Sequence, residues 1–318
     1  MCLACYESVA DSDSRPSDLP SGGAGSRHAV AGAEWPAAGG KAWHPRRAFL
    51  LAAGAAAAGP ALAQVEVGEA SRLRNLVPAG EIESASMQEY GRMLAQARQQ
   101  RALAPDDYPA LQRLRGISQR LIPLAPRWND RARQWRWEIN LIGSQQINAF
   151  CMPGGKIAFF TGILVQLKLD DNEVATIMGH EIAHALREHA RERMGKQMAT
   201  RLGAGLVSSL LGLGNVGDTV LGMGAQLWSM KWGREDESEA DLVGMDLAAH
   251  AGYDPAAGIS LWQKMGAVNK SAPPQWMSTH PSGPTRIKDI EATLPKVADI
   301  YAKASKPDRR FPVATDKV

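Results

Sequence analysis

The chain has 318 residues, 45% apolar and 22% charged, which is ordinary globular composition with enough apolar content for one sizeable core. Its 36 Lys and Arg against 33 Asp and Glu leave a net charge of +3, spread among acids, which excludes the concentrated basic face of a nucleic-acid binder. Of three cysteines, Cys2 and Cys5 fall in a stretch the mature protein is expected to lack, so Cys151 would stand alone and no disulfide framework is implied.

Residues 1–43 are rich in Gly, Ser, Ala, Asp and Pro without a hydrophobic period, the composition of a disordered or over-extended start of translation. Residues 44–63 have the form of an export signal: Arg46-Arg47, an apolar run from Ala48 to Gly59, then Pro60-Ala61-Leu62-Ala63 with small side chains suited to signal peptidase. The order Arg46-Arg47-Ala48-Phe49-Leu50 is twin-arginine-like. The apolar run is shorter than the roughly 20 residues that span a bilayer, so cleavage after Ala63 is expected, leaving residues 64–318 as one periplasmic domain. No cysteine follows the run, which gives a lipoprotein anchor no support.

From Glu81 to about Pro126, Met87, Tyr90, Leu94, Leu111, Leu114, Ile117 and Leu121 recur at three- and four-residue steps and predict two amphipathic helices. Gln134 to Ile142 alternates Trp135, Trp137, Ile139 and Leu141 with polar neighbours, and Ile147–Phe150 and Lys156–Thr161 follow in similar style. These are three short strands, the last two joined by a Pro153-Gly154-Gly155 turn. Asp170 with Glu173 is a capping box that opens a helix expected to reach about Met194. The Gly- and Leu-rich stretch between Leu202 and Met230 reads as one or two helices covering the site. Glu235 to His250 is helical and stops at Gly252, and two further helices are expected over Pro255–Val268 and Pro284–Leu294. There is no internal repeat, and no tandem helical-repeat domain fits in the C-terminal stretch.

Within the helix that starts at Asp170 lies His180-Glu181-Ile182-Ala183-His184. Positions four apart on a helix differ by roughly 40° about the axis, so both imidazoles leave one face and can reach one ion. Imidazole nitrogens suit Zn²⁺, and a catalytic zinc site takes three protein ligands and keeps one position for water. Water held there is acidic enough near neutral pH for a neighbouring carboxylate, Glu181, to take its proton and pass it to the leaving amine. The third ligand cannot be the late histidine of a metzincin. Arg187 and Ala190 stand where that pattern needs Gly and His, and on a continuous helix His189 points away from the His180 and His184 face. Glu235, Glu237 and Glu239 remain. Ala240, Asp241, Gly244 and Ala248 share a side with Glu237, a strip of mostly small residues able to press against the catalytic helix, and Glu235 and Glu239 face the other way. Asp241, one turn on, is placed to accept the outward N–H of a ligand histidine and fix its orientation.

His180-Glu181-Ile182-Ala183-His184 followed by Glu237-Ser238-Glu239-Ala240-Asp241 resembles the HtpX, Oma and prenyl-protein-protease family of gluzincin metallopeptidases, most closely its periplasmic BepA- and LoiP-like branch. The likeness begins at Asn148-Ala149-Phe150, takes in Pro153-Gly154-Gly155-Lys156 and Thr161-Gly162, and continues to Ala251-Gly252-Tyr253-Asp254-Pro255. It closes with Ser278-Thr279-His280-Pro281 and Arg286-Ile287.

The resemblance implies an α+β, mainly α-helical, zincin-like metallopeptidase domain with a small sheet edging the active-site cleft, and it makes Glu237 the third ligand of one Zn²⁺. It implies a zinc-dependent endopeptidase acting on unfolded or misassembled envelope proteins, with the outer-membrane assembly machinery as a candidate partner. The alternative is a zinc-containing periplasmic chaperone or assembly factor whose protease site is mostly inhibited. His280 matches the family's His-Pro block. It would either stabilise the oxyanion formed on the peptide carbonyl or occupy the open metal position and hold the enzyme idle. Asn148 and Arg286 are the substrate-side candidates, Asn148 by orienting substrate backbone, while pairing with an acid near the site is the competing role for Arg286. The flanking membrane helices of the HtpX branch are missing from the pattern, as is a tandem-repeat domain.

Overall fold

In the computed structural model, the residues described are 65–204, 230–268, 275–280 and 286–314, all within one compact unit, Leu62–Val318. The expected extension and export signal, and most of the Gly- and Leu-rich stretch, lie outside the described residues. The elements are α1 (Ala79–Gln99), α2 (Pro109–Leu121), β1 (Glu138–Ile142), β2 (Ala149–Met152), β3 (Lys156–Phe160), α3 (Thr161–Gln166), α4 (Asp171–Leu186), α5 (His189–Ala204), α6 (Arg234–His250), α7 (Ala257–Val268), α8 (Gln275–Thr279) and α9 (Arg286–Lys303). Short 3₁₀ turns at Arg72–Leu76, Ile122–Arg127 and Asp130–Arg133 join them. The protein is therefore mainly helical with a small sheet, the α+β class expected. Among the described residues no helix is long and apolar enough to cross a membrane.

The sheet has the order β1-β3-β2, with β1 parallel to β3 and β2 antiparallel to it. Gly154 and Gly155 make the β2–β3 turn at φ of 83° and 77°, a region closed to most side chains, and a Cβ on Gly155 would collide with the Trp137 ring. Both faces of the sheet are covered. Phe150, Met152, Ala158 and Phe160 pack with Tyr90 and Leu94 of α1, whereas Ala149, Cys151, Ile157 and Phe159 join the main core around α4. That is why β2 and β3 read as continuous apolar runs instead of alternating ones. The first strand starts later than expected, at Glu138, because the 3₁₀ turn at Asp130–Arg133 and the Trp135–Trp137 ring contact occupy the lead-in.

Helix α4 is the axis of the core. Its capping box forms as predicted, with Asp170 Oδ1 accepting from Glu173 N and Glu173 Oε2 accepting from Asp170 N, each at 2.9 Å. It ends eight residues before Met194, however. Arg187 closes the last turn, Glu188 adopts φ 60°, and α5 sets off in a new direction at His189. A left-handed non-glycine residue costs roughly 1–2 kcal/mol. Here the carboxylate of Glu188 is held between Arg191 at 2.7 Å and Arg74 at 3.3 Å, the second a long-range contact that local sequence does not announce. α9 likewise runs past Leu294 to Lys303 through Pro295, and α8 is a short helix the sequence pattern did not foretell.

α6 lies directly against α4. A Cβ on Gly179 would come within 2.8 Å of Gly244 O, and one on Gly244 within 2.8 Å of His180 N, so the two backbones touch. The strip of small residues does what it was expected to do. It brings the side chains of α6 that follow Gly233 level with those of the second half of α4.

Candidate metal centre

His180 and His184 leave one face of α4 and their Nε2 atoms stand 3.1 Å apart. From α6, Glu237 places Oε2 3.6 Å from His180 Nε2 and Oε1 3.4 Å from His184 Nε2. His280, at the end of α8, adds its Nδ1 at 2.9 Å from Glu237 Oε1 and 3.1 Å from His180 Nε2. One ligand atom from each of these four buried residues lies within 4.8 Å of every other. All four are no more than 3% exposed.

Electrostatics fix the charge states. Burial would raise the Glu237 carboxyl, but the facing His280, His184 and His180 hold it below the usual carboxylate range. Burial pushes His184 well below the ordinary imidazole range against the pull of Glu237, so this ring is neutral near pH 7. Burial would lower His280, but the Glu181 and Glu237 carboxylates hold it above its ordinary value.

Behind His180, Asp241 Oδ1 accepts from Nδ1 at 3.0 Å, the orienting contact foreseen for Asp241. Burial would raise Asp241, yet Arg286 and His180 hold it low. Arg286 is itself buried. Its Nη1 donates to Glu237 Oε2 and its Nη2 to Asp241 Oδ1, both at 2.6 Å, and its guanidinium lies 4.5 Å above the Trp262 ring. Its donors are turned to these two carboxylates, the acid-pairing arrangement weighed for Arg286. Asn148 precedes β2, buried, with Oδ1 accepting from Ala149 N at 3.0 Å and Nδ2 without a hydrogen-bond partner among the described residues.

Glu181 is buried beside the cluster. Trp276 Nε1 donates to Glu181 Oε1 at 2.6 Å, and His280 Nε2 stands 3.4 Å from the same oxygen. The Trp276 ring stacks on His280 with centroids 4.8 Å apart, and its backbone N–H reaches Ile147 O at 3.1 Å, tying α8 to the segment that leads into β2.

Sequence reasoning missed four neighbours. Trp276 and Trp232 carry no spacing signal; Trp232 stacks on His184 at 4.6 Å between centroids. His189 was expected to point away, but the break after Leu186 swings it back so that its Nδ1 is 2.8 Å from His184 Nδ1. Glu239 was placed on the far side of its helix, yet its Oε2 is 2.8 Å from His189 Nε2.

The donor set fits zinc. Two nitrogens each about 2.0–2.1 Å from one tetrahedral ion stand about 3.3 Å apart, close to the 3.1, 3.4 and 3.6 Å edges found among His180, His184 and Glu237. With its Nδ1–H donated to Asp241, His180 turns a bare Nε2 lone pair into the cluster, where a buried cation can accept it and the charged Glu237 can balance that cation.

The chain is 38% identical over 152 residues to the mitochondrial metalloendopeptidase OMA1 of Arabidopsis thaliana, covering 48% of this chain and 30% of that one. It is 28% identical over 206 residues to the beta-barrel assembly-enhancing protease of Yersinia pestis, covering 60% and 41%. To metalloprotease LoiP of Escherichia coli it is 26% identical over 149 residues, covering 46% and 58%. The matches thus span between about a third and somewhat over half of these relatives. The profile of peptidase family M48 matches residues 112–294, a span that contains both halves of the metal cluster and the sheet, and the chain belongs to that family.

Proposed function

We propose that the chain is a zinc-dependent endopeptidase. The observation that carries this reading is the convergence of His180, His184 and Glu237 on one buried point with the Glu181 carboxylate beside it. Those three residues would hold one Zn²⁺, which when bound supplies Lewis-acid activation of water and of the scissile carbonyl. Glu181 accepts the proton lost by the attacking water and returns it to the departing amine. Trp276 N–H holds one of its oxygens, which leaves the other free for that exchange. Asp241 and Arg286 keep His180 and Glu237 aimed.

β2 is the outer strand of the sheet beside α4, and it suits an extended substrate that adds to the sheet through main-chain hydrogen bonds, with Asn148 at the head of that strand. Binding of this kind tolerates many sequences. Unfolded or misassembled envelope proteins in the periplasm are the proposed substrates, and the outer-membrane assembly machinery the proposed partner. The export-signal pattern of residues 44–63 and the similarity to a protein named for enhancing β-barrel assembly support both. Casein degradation tests the activity: the purified chain is expected to cleave it, to stop when zinc is stripped by a chelator, and to resume when Zn²⁺ is restored. Cleavage that persists in the metal-free protein would sink the reading.

A second reading draws on His280. Its nitrogen sits inside the ligand cluster, which favours an occupant of the open metal position over an oxyanion donor, and so an enzyme held idle while serving as a chaperone or assembly factor. His280→Ala is then expected to raise casein cleavage severalfold. A fall of about 10²- to 10³-fold would instead assign His280 to the oxyanion.

A further inference from the structure

We propose that His189, Glu239 and Arg187 form a positioning unit for His184, one that fixes its tautomer and turns its Nε2 lone pair to the metal position; this rests on the zinc reading above. The ionised Glu239 carboxylate can only accept, so His189 Nε2, 2.8 Å away, donates to it. With His189 neutral and its proton on Nε2, its Nδ1 is the acceptor. His184 Nδ1, at 2.8 Å, donates to that nitrogen, and His184 Nε2 is left bare toward the cluster. The reverse arrangement would put the His184 proton on Nε2, donated to His180 Nε2 at 3.1 Å, and would leave His184 no lone pair for a metal. Arg187 closes the unit by pairing with the other oxygen of Glu239 and donating to the Gly68 carbonyl. The segment ahead of α1 thereby braces the same unit.

The two ligand histidines are backed alike. His180 rests on Asp241, which Arg286 holds; His184 rests on His189, whose carboxylate partner Glu239 is held by Arg187. This gives the left-handed Glu188 a purpose. On an unbroken helix residue 189 lies about 140° around the axis from residue 184, out of reach. The turn at φ 60° brings it beneath the ring. Strain stored beside a site in this way persists only when its surroundings hold it.

Zinc affinity, measured on the purified full chain by competition with a chromogenic chelator, tests the unit without recourse to activity. His189→Ala is expected to weaken zinc about 10- to 100-fold. His189→Asn, whose carboxamide oxygen occupies the place of Nδ1 and whose amide can still donate, is expected to recover most of that loss. Zinc held by His189→Ala as tightly as by wild type overturns the proposal, and so does an Asn variant as weak as Ala at equal metal-free Tm. Wild-type protein that takes up no zinc overturns the metal reading together with it, a result distinct from tight wild-type binding that His189→Ala leaves unchanged. Should the variants fail to fold, ¹⁵N spectra of histidine-labelled, zinc-loaded wild type decide: a neutral His189 ring with its proton on Nε2 is expected, and a doubly protonated or Nδ1–H His189 overturns the proposal.

Discussion

Replacing Glu181 with Gln is expected to lower casein turnover by about 10²- to 10⁴-fold, the range attached to a lost general base, while zinc content and folding stay at the wild-type level. The substitution keeps shape and volume. A Gln carbonyl oxygen can still accept the Trp276 indole N–H that Glu181 Oε1 accepts at 2.6 Å, so the buried pocket loses no hydrogen bond there. Removing a buried charge near Glu237 and the histidines does not by itself unfold the site, because Arg286 continues to balance Glu237. What disappears is the capacity to take a proton. Loss of cleavage with retained capacity to hold an unfolded client would separate hydrolysis from holding and rule out holding as the cause of cleavage. Should the Gln variant keep more than about a tenth of wild-type turnover, well above the range for a lost base, the proton must travel by another group. His280, whose Nε2 lies 3.4 Å from Glu181 Oε1, is the neighbour to test next.

How far the site was legible in advance follows from which contacts are local. The pair His180 and His184 needs only helical periodicity, and the helix itself is announced by a cap, so both could be read directly. Glu237 and Asp241 required one further step, the recognition that a strip of small residues on α6 allows close approach, and the backbone contact of Gly179 with Gly244 bears that step out. His189 and Glu239 were misread for a single reason. Leu186-Arg187-Glu188-His189 contains neither Gly nor Pro, so periodicity carried the helix onward, and the contact of Arg74 with Glu188 at the break is long-range. Trp276 and Trp232 belong to the same class, since an indole gives no spacing signal and only the tertiary fold aims it. The late start of β1 has a related cause: Trp135 and Trp137 alternate as strand residues would, but their indole N–H groups are taken by Glu83 and the Ala132 carbonyl, which anchor a loop. In the sheet, burial on both faces left short apolar runs whose limits slipped by two residues at β2.

Gly244→Ala is expected to destabilise the metal-free protein and to weaken zinc binding, although helix propensity alone predicts the opposite. In an open helix interior, Ala is favoured over Gly by about 1 kcal/mol. Gly91 of α1 is such a place, exposed and with nothing within 4 Å of an added Cβ, and Gly91→Ala should raise Tm. At Gly244 the added methyl would lie 2.8 Å from His180 N, 3.0 Å from His180 Cα and 3.0 Å from Gly179 C. All three are backbone atoms of α4, so no rotamer change relieves the collision and the helices must part. Overpacking of this kind costs typically about 1–3 kcal/mol, which outweighs the propensity gain at most of that range. The separation also matters for chemistry. His180 rides on the very stretch of α4 that is displaced, and Glu237 and Asp241 sit on the first turns of α6, so moving the helices apart lengthens the 3.6 and 3.0 Å contacts that aim both at His180. Thermal unfolding of metal-free protein and zinc competition, run side by side on both glycine variants, check the two consequences. A Gly244→Ala protein that gains stability as Gly91→Ala does, with unchanged zinc affinity, would mean that backbone contact between α4 and α6 is not what sets the spacing of the ligands.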